Sequence, residues 1–191
     1  MADYEERIET KSLLITPVNS SLLLSVEDLK DAFGDVDLHH VYISFFQQEF
    51  EDILTRISSF SEIRSNVLAE SVNLRTMEFV IPKRDTTYFY VPTDKNIADS
   101  QDKAADFILF ISRLEVVPSW IDIEFTEKPN VRHNLYYLFW DNQQAKTVCF
   151  GRAEYTDGAK TIDKATFELW IDNLAKSFIE NTPFPKKRNQ W

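Results

Sequence analysis

The sequence predicts an α/β fold of the α+β kind: a mixed, mainly antiparallel sheet of about five to seven strands, with two main amphipathic helices packed on one face. Three observations carry this reading. Phe46, Phe50, Ile53, Leu54 and Ile57 recur at helical spacing among Gln47, Gln48, Glu49, Glu51 and Asp52, which gives one apolar stripe on a polar helix over residues 40–58. Phe167, Trp170, Ile171, Leu174 and Phe178 form a second stripe, capped by Thr161 or Asp163 and stopped by Pro183. Between the helices lie DFILFISRLEVV, whose continuous apolar start suits a central strand covered on both faces, and LYYLFWDNQQAKTVCFGRAEY, which reads as two strands joined by a polar turn.

The remaining elements follow in chain order. SLLITPV, residues 12–18, is a short apolar run stopped by Pro17 and reads as a buried strand. Residues 19–38 hold the patch Leu22, Leu23, Leu24 and then VEDLKDAFGDVD, read as a loop with a short helical turn. After the first helix, Ser58 and Ser59 mark its end, and a strand runs near residues 63–68. Leu74, Thr76, Glu78 and Val80 alternate with Arg75, Met77, Phe79 and Ile81, turn through residues 82–85, and return over 86–91 as an antiparallel pair ended by Pro92. TDKNIADSQDKA, residues 93–104, reads as polar linker. The central strand spans 106–117 and ends at Pro118; Ile121, Ile123 and Phe125 alternate with Asp122 and Glu124 in a half-exposed strand. The hairpin strands span 132–141 and 146–155.

A length of 191 residues supports one sizeable core, and no domain-scale linker or internal repeat interrupts it, so the expected unit is a single domain over 1–191 with loose ends at 1–11 and 185–191. The net charge of −10 argues against nucleic acid as a partner, because phosphate neutralisation needs clustered Lys and Arg. It disfavours charge-driven binding to an anionic membrane for the same reason. Only 3 glycines leave no room for a phosphate-cradling loop. With one cysteine, Cys149, no intramolecular disulfide forms, which fits the cytosol and the periplasm equally. No stretch approaches the roughly 20 apolar residues of a membrane span. The opening MADYEERIETK is not a signal peptide, so the expectation is a periplasmic or envelope protein if a leader was removed, and a cytoplasmic one otherwise.

The order of elements resembles the amino-terminal domain of TolB and related bacterial envelope lipoprotein domains. An early strand ends in Pro (LLITPV), a helix closes with LTRISSF, a strand opens with Ala-Asp (AADFILFI), a hairpin carries an aspartate at its turn (LFWDNQQAKTV), and a last helix packs on the sheet. The chain departs from the pattern in lacking a lipid-attachment cysteine near its start, in carrying an added hairpin at 71–92, and in lacking the propeller that follows in TolB. The resemblance implies a periplasm-facing interaction domain of an envelope protein, with no catalytic residues to carry over.

Candidate chemistry is sparse. Asp37, His39 and His40 could form a metal site, but adjacent histidines point in different directions on a helix and only Asp37 and His40 have i, i+3 spacing, so a surface pair without a ligand role is the favoured reading. Asp122 and Glu124 share a strand face and could act as an acid/base pair; a solvated face explains them more simply. Cys149 with His133 on the partner strand would be a nucleophile and base, against a buried small-residue role. Either pair would make a small hydrolase, the alternative reading.

The hairpin aromatics point elsewhere. Tyr136, Leu138 and Trp140 share one strand face; Leu135, Tyr137 and Phe139 share the other. Two helices on one face leave part of the other open unless residues 71–92 or the N-terminal loop cover it. The leading expectation is a non-enzymatic interaction module, lipoprotein-like or a subunit of a larger assembly. Tyr136 and Trp140 would meet a protein partner, and no cofactor is expected.

Overall fold

The sheet is assembled on β6 (Phe107–Ser119), in a computed structural model that describes residues 11–16, 22–24, 38–81, 86–119, 130–157 and 164–184. One edge of β6 takes two short parallel strands in succession. β1 (Ser12–Ile15) pairs with 107–109 and β2 (Leu22–Leu24) with 114–116. β3 (Glu62–Ser65) adds in parallel outside β1. On the other edge β7 (Asn130–Asp141) and β8 (Lys146–Asp157) continue the sheet antiparallel, giving the order β3-β1-β6-β7-β8 with β2 beside β1 on β6. The fold is the expected one, α/β with a mixed sheet that is antiparallel over its longest pairings.

Some local expectations are corrected. Leu22–Leu24 extend as β2 because the far half of β6 offers a free edge to pair with, which a local reading of the segment as loop does not contain. Pro118 does not end the central strand: β6 runs to Ser119, and Pro118 stands opposite Val131 in the ladder. The half-exposed strand at 121–125, the turn at 82–85 and the caps Thr161 and Asp163 lie outside the described residues.

α1 (Leu38–Ile57) and α2 (Lys164–Glu180) lie on one face of the sheet, as the two stripes require. Phe46, Phe50, Ile53 and Leu54 from α1 and Phe167, Trp170, Ile171, Leu174 and Phe178 from α2 are all at most 1% exposed. They meet Leu135, Tyr137 and Phe139 of β7, with Phe178 stacked on Phe139 at 5.6 Å and edge-on to Tyr137 at 4.8 Å. Each such side chain contributes about 1.5–3 kcal/mol through burial, so this core dominates stability. Gly151 of β8 stands opposite Tyr137, and a Cβ there would lie 2.9 Å from the Tyr137 hydroxyl oxygen.

A second, smaller core lies on the opposite face. The antiparallel hairpin β4 (Leu74–Val80) and β5 (Thr86–Pro92) forms its own two-stranded sheet and turns Phe79, Phe89 and Val91 down onto Ile108, Phe110, Leu138 and Trp140. Phe79 also meets Phe150 of β8 at 4.6 Å. The segment 93–104, expected as a plain linker, is tied down. Asn142 donates from Nδ2 to the carbonyls of Ile97 and Ala105 at 2.9 and 2.7 Å and accepts from the Ile97 N–H at 3.0 Å. Asp99 accepts from Gln101 N, Lys103 N and Arg64 Nε. Burial alone raises an acid, but the Arg64 guanidinium and these backbone donors outweigh it and hold the Asp99 carboxyl down to about 2.

Candidate functional site

The face opposite the helices divides in two along β7. Its first half lies under the hairpin, and Trp140 is there, 1% exposed among the residues of the second core. The other half carries polar rungs. Arg113, Tyr136 and Arg152 stand in register across β6, β7 and β8, and Glu115, Asn134 and Glu154 form the next rung. The Arg113 guanidinium carbon sits 4.1 Å from the Tyr136 ring centroid and that of Arg152 5.9 Å from it, a cation–π arrangement around one ring. Arg113 pairs with Glu115, Arg152 with Glu154, and Asn134 Nδ2 donates to Glu115 at 2.8 Å.

Tyr136 is therefore 1% exposed as well. The two aromatics expected to present a partner surface are both interior side chains of this chain. The hairpin, whose packing is tertiary, covers one of them, and the arginines enclose the other.

Cys149 stands opposite Phe139, and His133 opposite Tyr155, six rungs along the same ladder. At about 3.4 Å per residue that is on the order of 20 Å, far beyond proton transfer. Burial pushes the Cys149 thiol up to about 12, the reverse of what a nucleophile needs. His133 is buried against Trp170, ring centroids 4.6 Å apart, and burial, only partly opposed by the Tyr155 backbone, pushes its imidazole down to about 3. Asp37, Asp122 and Glu124 lie outside the described residues; His39 and His40 fall in the first turn of α1. Among the described residues no group of three or more His, Cys, Asp or Glu is placed to hold a metal ion.

Among the described residues, four of the seven exposed large apolar side chains are on the hairpin itself. Alternation sends Phe79, Phe89 and Val91 inward and leaves Leu74, Val80, Tyr88 and Tyr90 outward, exposed by 47%, 62%, 55% and 61%. The register places Tyr90 opposite Thr76 and Tyr88 opposite Glu78, so the two tyrosines sit in consecutive outward rungs. Beside them runs a groove of about 300 Å³, between residues 67–72 and Tyr88–Tyr90 and based on Thr16, Phe110 and Ser112. The sequence held the signal for this site: β4 and β5 alternate, and their outward set includes Leu, Val and two Tyr. The more apolar β7 carries the stronger signal and masks it.

No family model matches the sequence, and no curated protein matches it. Among solved structures the chain is similar to a dodecameric PelC variant from Paraburkholderia phytofirmans, with a TM-score of 0.42 and 6% identity over 88% of this chain and 86% of that one. No described helix is long and apolar enough to cross a membrane.

Proposed function

We propose that this protein is a non-enzymatic interaction module, a subunit of a larger assembly, whose docking surface is the outward face of the β4–β5 hairpin. The observation that carries this reading is the cluster Leu74, Val80, Tyr88 and Tyr90 on a two-stranded sheet whose inner face is already satisfied. A hairpin needs only its inner face to be held on the domain. The large side chains on the outer face lie outside the second core, and tyrosines offer a broad apolar body with a polar tip, which suits protein contacts. The bacterial envelope is the setting proposed from the TolB-like order of elements.

Site-specific photo-crosslinking tests the docking surface. A photoreactive residue at Tyr90 is expected to form a defined adduct in the protein's own cells, while one at Leu169, also exposed, on α2, gives none. Equal or absent labelling at Tyr90 overturns the proposal. Fractionation of the same cells tests the compartment.

A further inference from the structure

Among the described residues no strand pairs with the outer edge of β5, a property independent of its outward side chains. The Thr93 N–H donates to the Asn73 carbonyl at 3.1 Å, which makes 73 and 93 a hydrogen-bonded pair. In an antiparallel ladder such pairs alternate, so 75/91, 77/89 and 79/87 exchange hydrogen bonds and 74/92, 76/90 and 78/88 do not. Tyr88 and Tyr90 therefore turn their N–H and C=O groups away from β4, toward the groove. Pro92 agrees with this phase: it stands at a position where the ladder asks for no donor.

The far side of the groove is built in the same way. The Ala69 N–H donates to Ala98 O and the Ser100 N–H to Val67 O, around the bridge between Leu68 and Asp99. That pattern makes Leu68 and Asp99 a non-hydrogen-bonded pair, so the Leu68 backbone groups also point away from their neighbour, and Leu68 lines the groove.

We infer that the groove takes one extended segment of another polypeptide, added as a strand on the edge of β5 and bonded also by Leu68. This rests on the interaction-module reading above and names its ligand. Unpaired strand edges bind extended chains through main-chain hydrogen bonds, with alternate side chains reading adjacent pockets. A second copy of this domain does not fit, because its β5 carries a hairpin and a sheet with it, and a groove of about 300 Å³ has no room for them. Glu70 is the charged side chain in the lining and the whole chain carries −10, so the segment is one that alternates apolar with polar residues and bears net positive charge.

The test is selection of random nonapeptides displayed on phage against the full chain, followed by synthesis of the enriched peptides. Enriched sequences are expected to alternate and to favour Lys and Arg over Asp and Glu. On binding, amide exchange at Tyr88 and Tyr90 slows at least about tenfold, as an added hydrogen bond requires. Tyr90→Pro removes an outward N–H without touching the ladder to β4 and weakens binding about tenfold or more, while Leu169→Ser, on α2 and outside the groove, binds as wild type. Should Tyr90→Pro fail to fold, the peptide N-methylated on alternate residues serves instead: one methylation phase abolishes binding and the other leaves it.

Failure to enrich any peptide overturns the inference, as do enriched peptides that leave Tyr88 and Tyr90 exchange unchanged or bind Tyr90→Pro normally. Peptides lost on Tyr88→Ser but kept on Tyr90→Pro overturn it too, while leaving face docking intact. Crosslinking at Tyr90 in cells without edge protection has the same meaning, so the two readings fail separately.

Discussion

The His133 imidazole lies against the Trp170 indole with ring centroids 4.6 Å apart, and neither ring nitrogen has a well-formed hydrogen-bond partner. The indole N–H is engaged elsewhere, donating to Asp157 at 2.7 Å. β7 thus carries a titratable group at an interior position under α2, where only the neutral form is tolerated.

This fixes a sign for the pH dependence. The unfolded chain binds a proton at His133 near the ordinary 6.5, whereas burial holds the folded imidazole neutral down to about 3. Stability is therefore fully present above pH 6.5 and falls as pH drops toward 3, by at most about 1.4 kcal/mol per pH unit from this group. Urea unfolding of wild type and His133→Leu across that window is the measurement. The difference between them is expected to grow in favour of the variant as pH falls; a constant difference would show that His133 binds its proton equally in both states.

Asn142 bears on the β4–β5 hairpin through the segment that follows it. Its side chain makes three buried hydrogen bonds to the backbone of Ile97 and Ala105. Ile97 in turn packs in the second core with Phe89 and Val91 of β5. Asn142→Ala leaves one donor and two acceptors unsatisfied in the interior, at about 1–3 kcal/mol each before relaxation. A loss of about 3 kcal/mol is expected by denaturant unfolding. Faster amide exchange at Phe89 and Val91 should accompany it, since these ladder amides are held partly by that core. Protection unchanged at β5 would separate the segment from the hairpin.

Gly151 tests the closeness of β8 to the core below it. An added Cβ would meet the Tyr137 hydroxyl oxygen at 2.9 Å, and that hydroxyl donates to the Asn181 carbonyl just beyond α2. The ring is buried and edge-on to Phe178, so it has little freedom to withdraw. Gly151→Ala is expected to destabilise by about 1–3 kcal/mol through overpacking, despite the β-propensity it gains. The double variant Gly151→Ala with Tyr137→Phe should recover part of that loss in a double-mutant cycle.

The two helices, the central strand and both hairpins are legible in the sequence because each is a periodic pattern local to its own residues. What escapes is parity and placement. Leu14, Ile108 and Phe110 share the hairpin-covered face, but a register shift between Ile111 and Arg113 reverses the alternation of β6. Past it Leu114 and Val116 face the helices, and Arg113 and Glu115 face the other way. Strict alternation along DFILFISRLEVV cannot place Arg113 beside Tyr136. The apolar composition of β7 reads as an open face only until the hairpin is known to lie over Trp140, and nothing in residues 74–92 says where that hairpin packs. Its outward tyrosines, by contrast, follow from alternation alone once the inward set is fixed by Phe79 and Phe89.

Cys149 separates the interaction reading from the hydrolase one at the level of a single reagent. The thiol packs against the main core and burial pushes it from its ordinary 9 up to about 12. At pH 8 the thiolate fraction is then lower than that of a free cysteine by about a thousandfold, and alkylation slows in proportion. Iodoacetamide labelling followed by intact mass should show almost no modification of the folded chain over the time in which the urea-unfolded chain reacts fully. A nucleophile poised for catalysis behaves in the opposite way, reacting faster folded than unfolded. Fast labelling of the native protein would mean that the strand opens locally or that a cationic group stabilises the thiolate, and Cys149→Ser would then become the variant on which to look for lost chemistry.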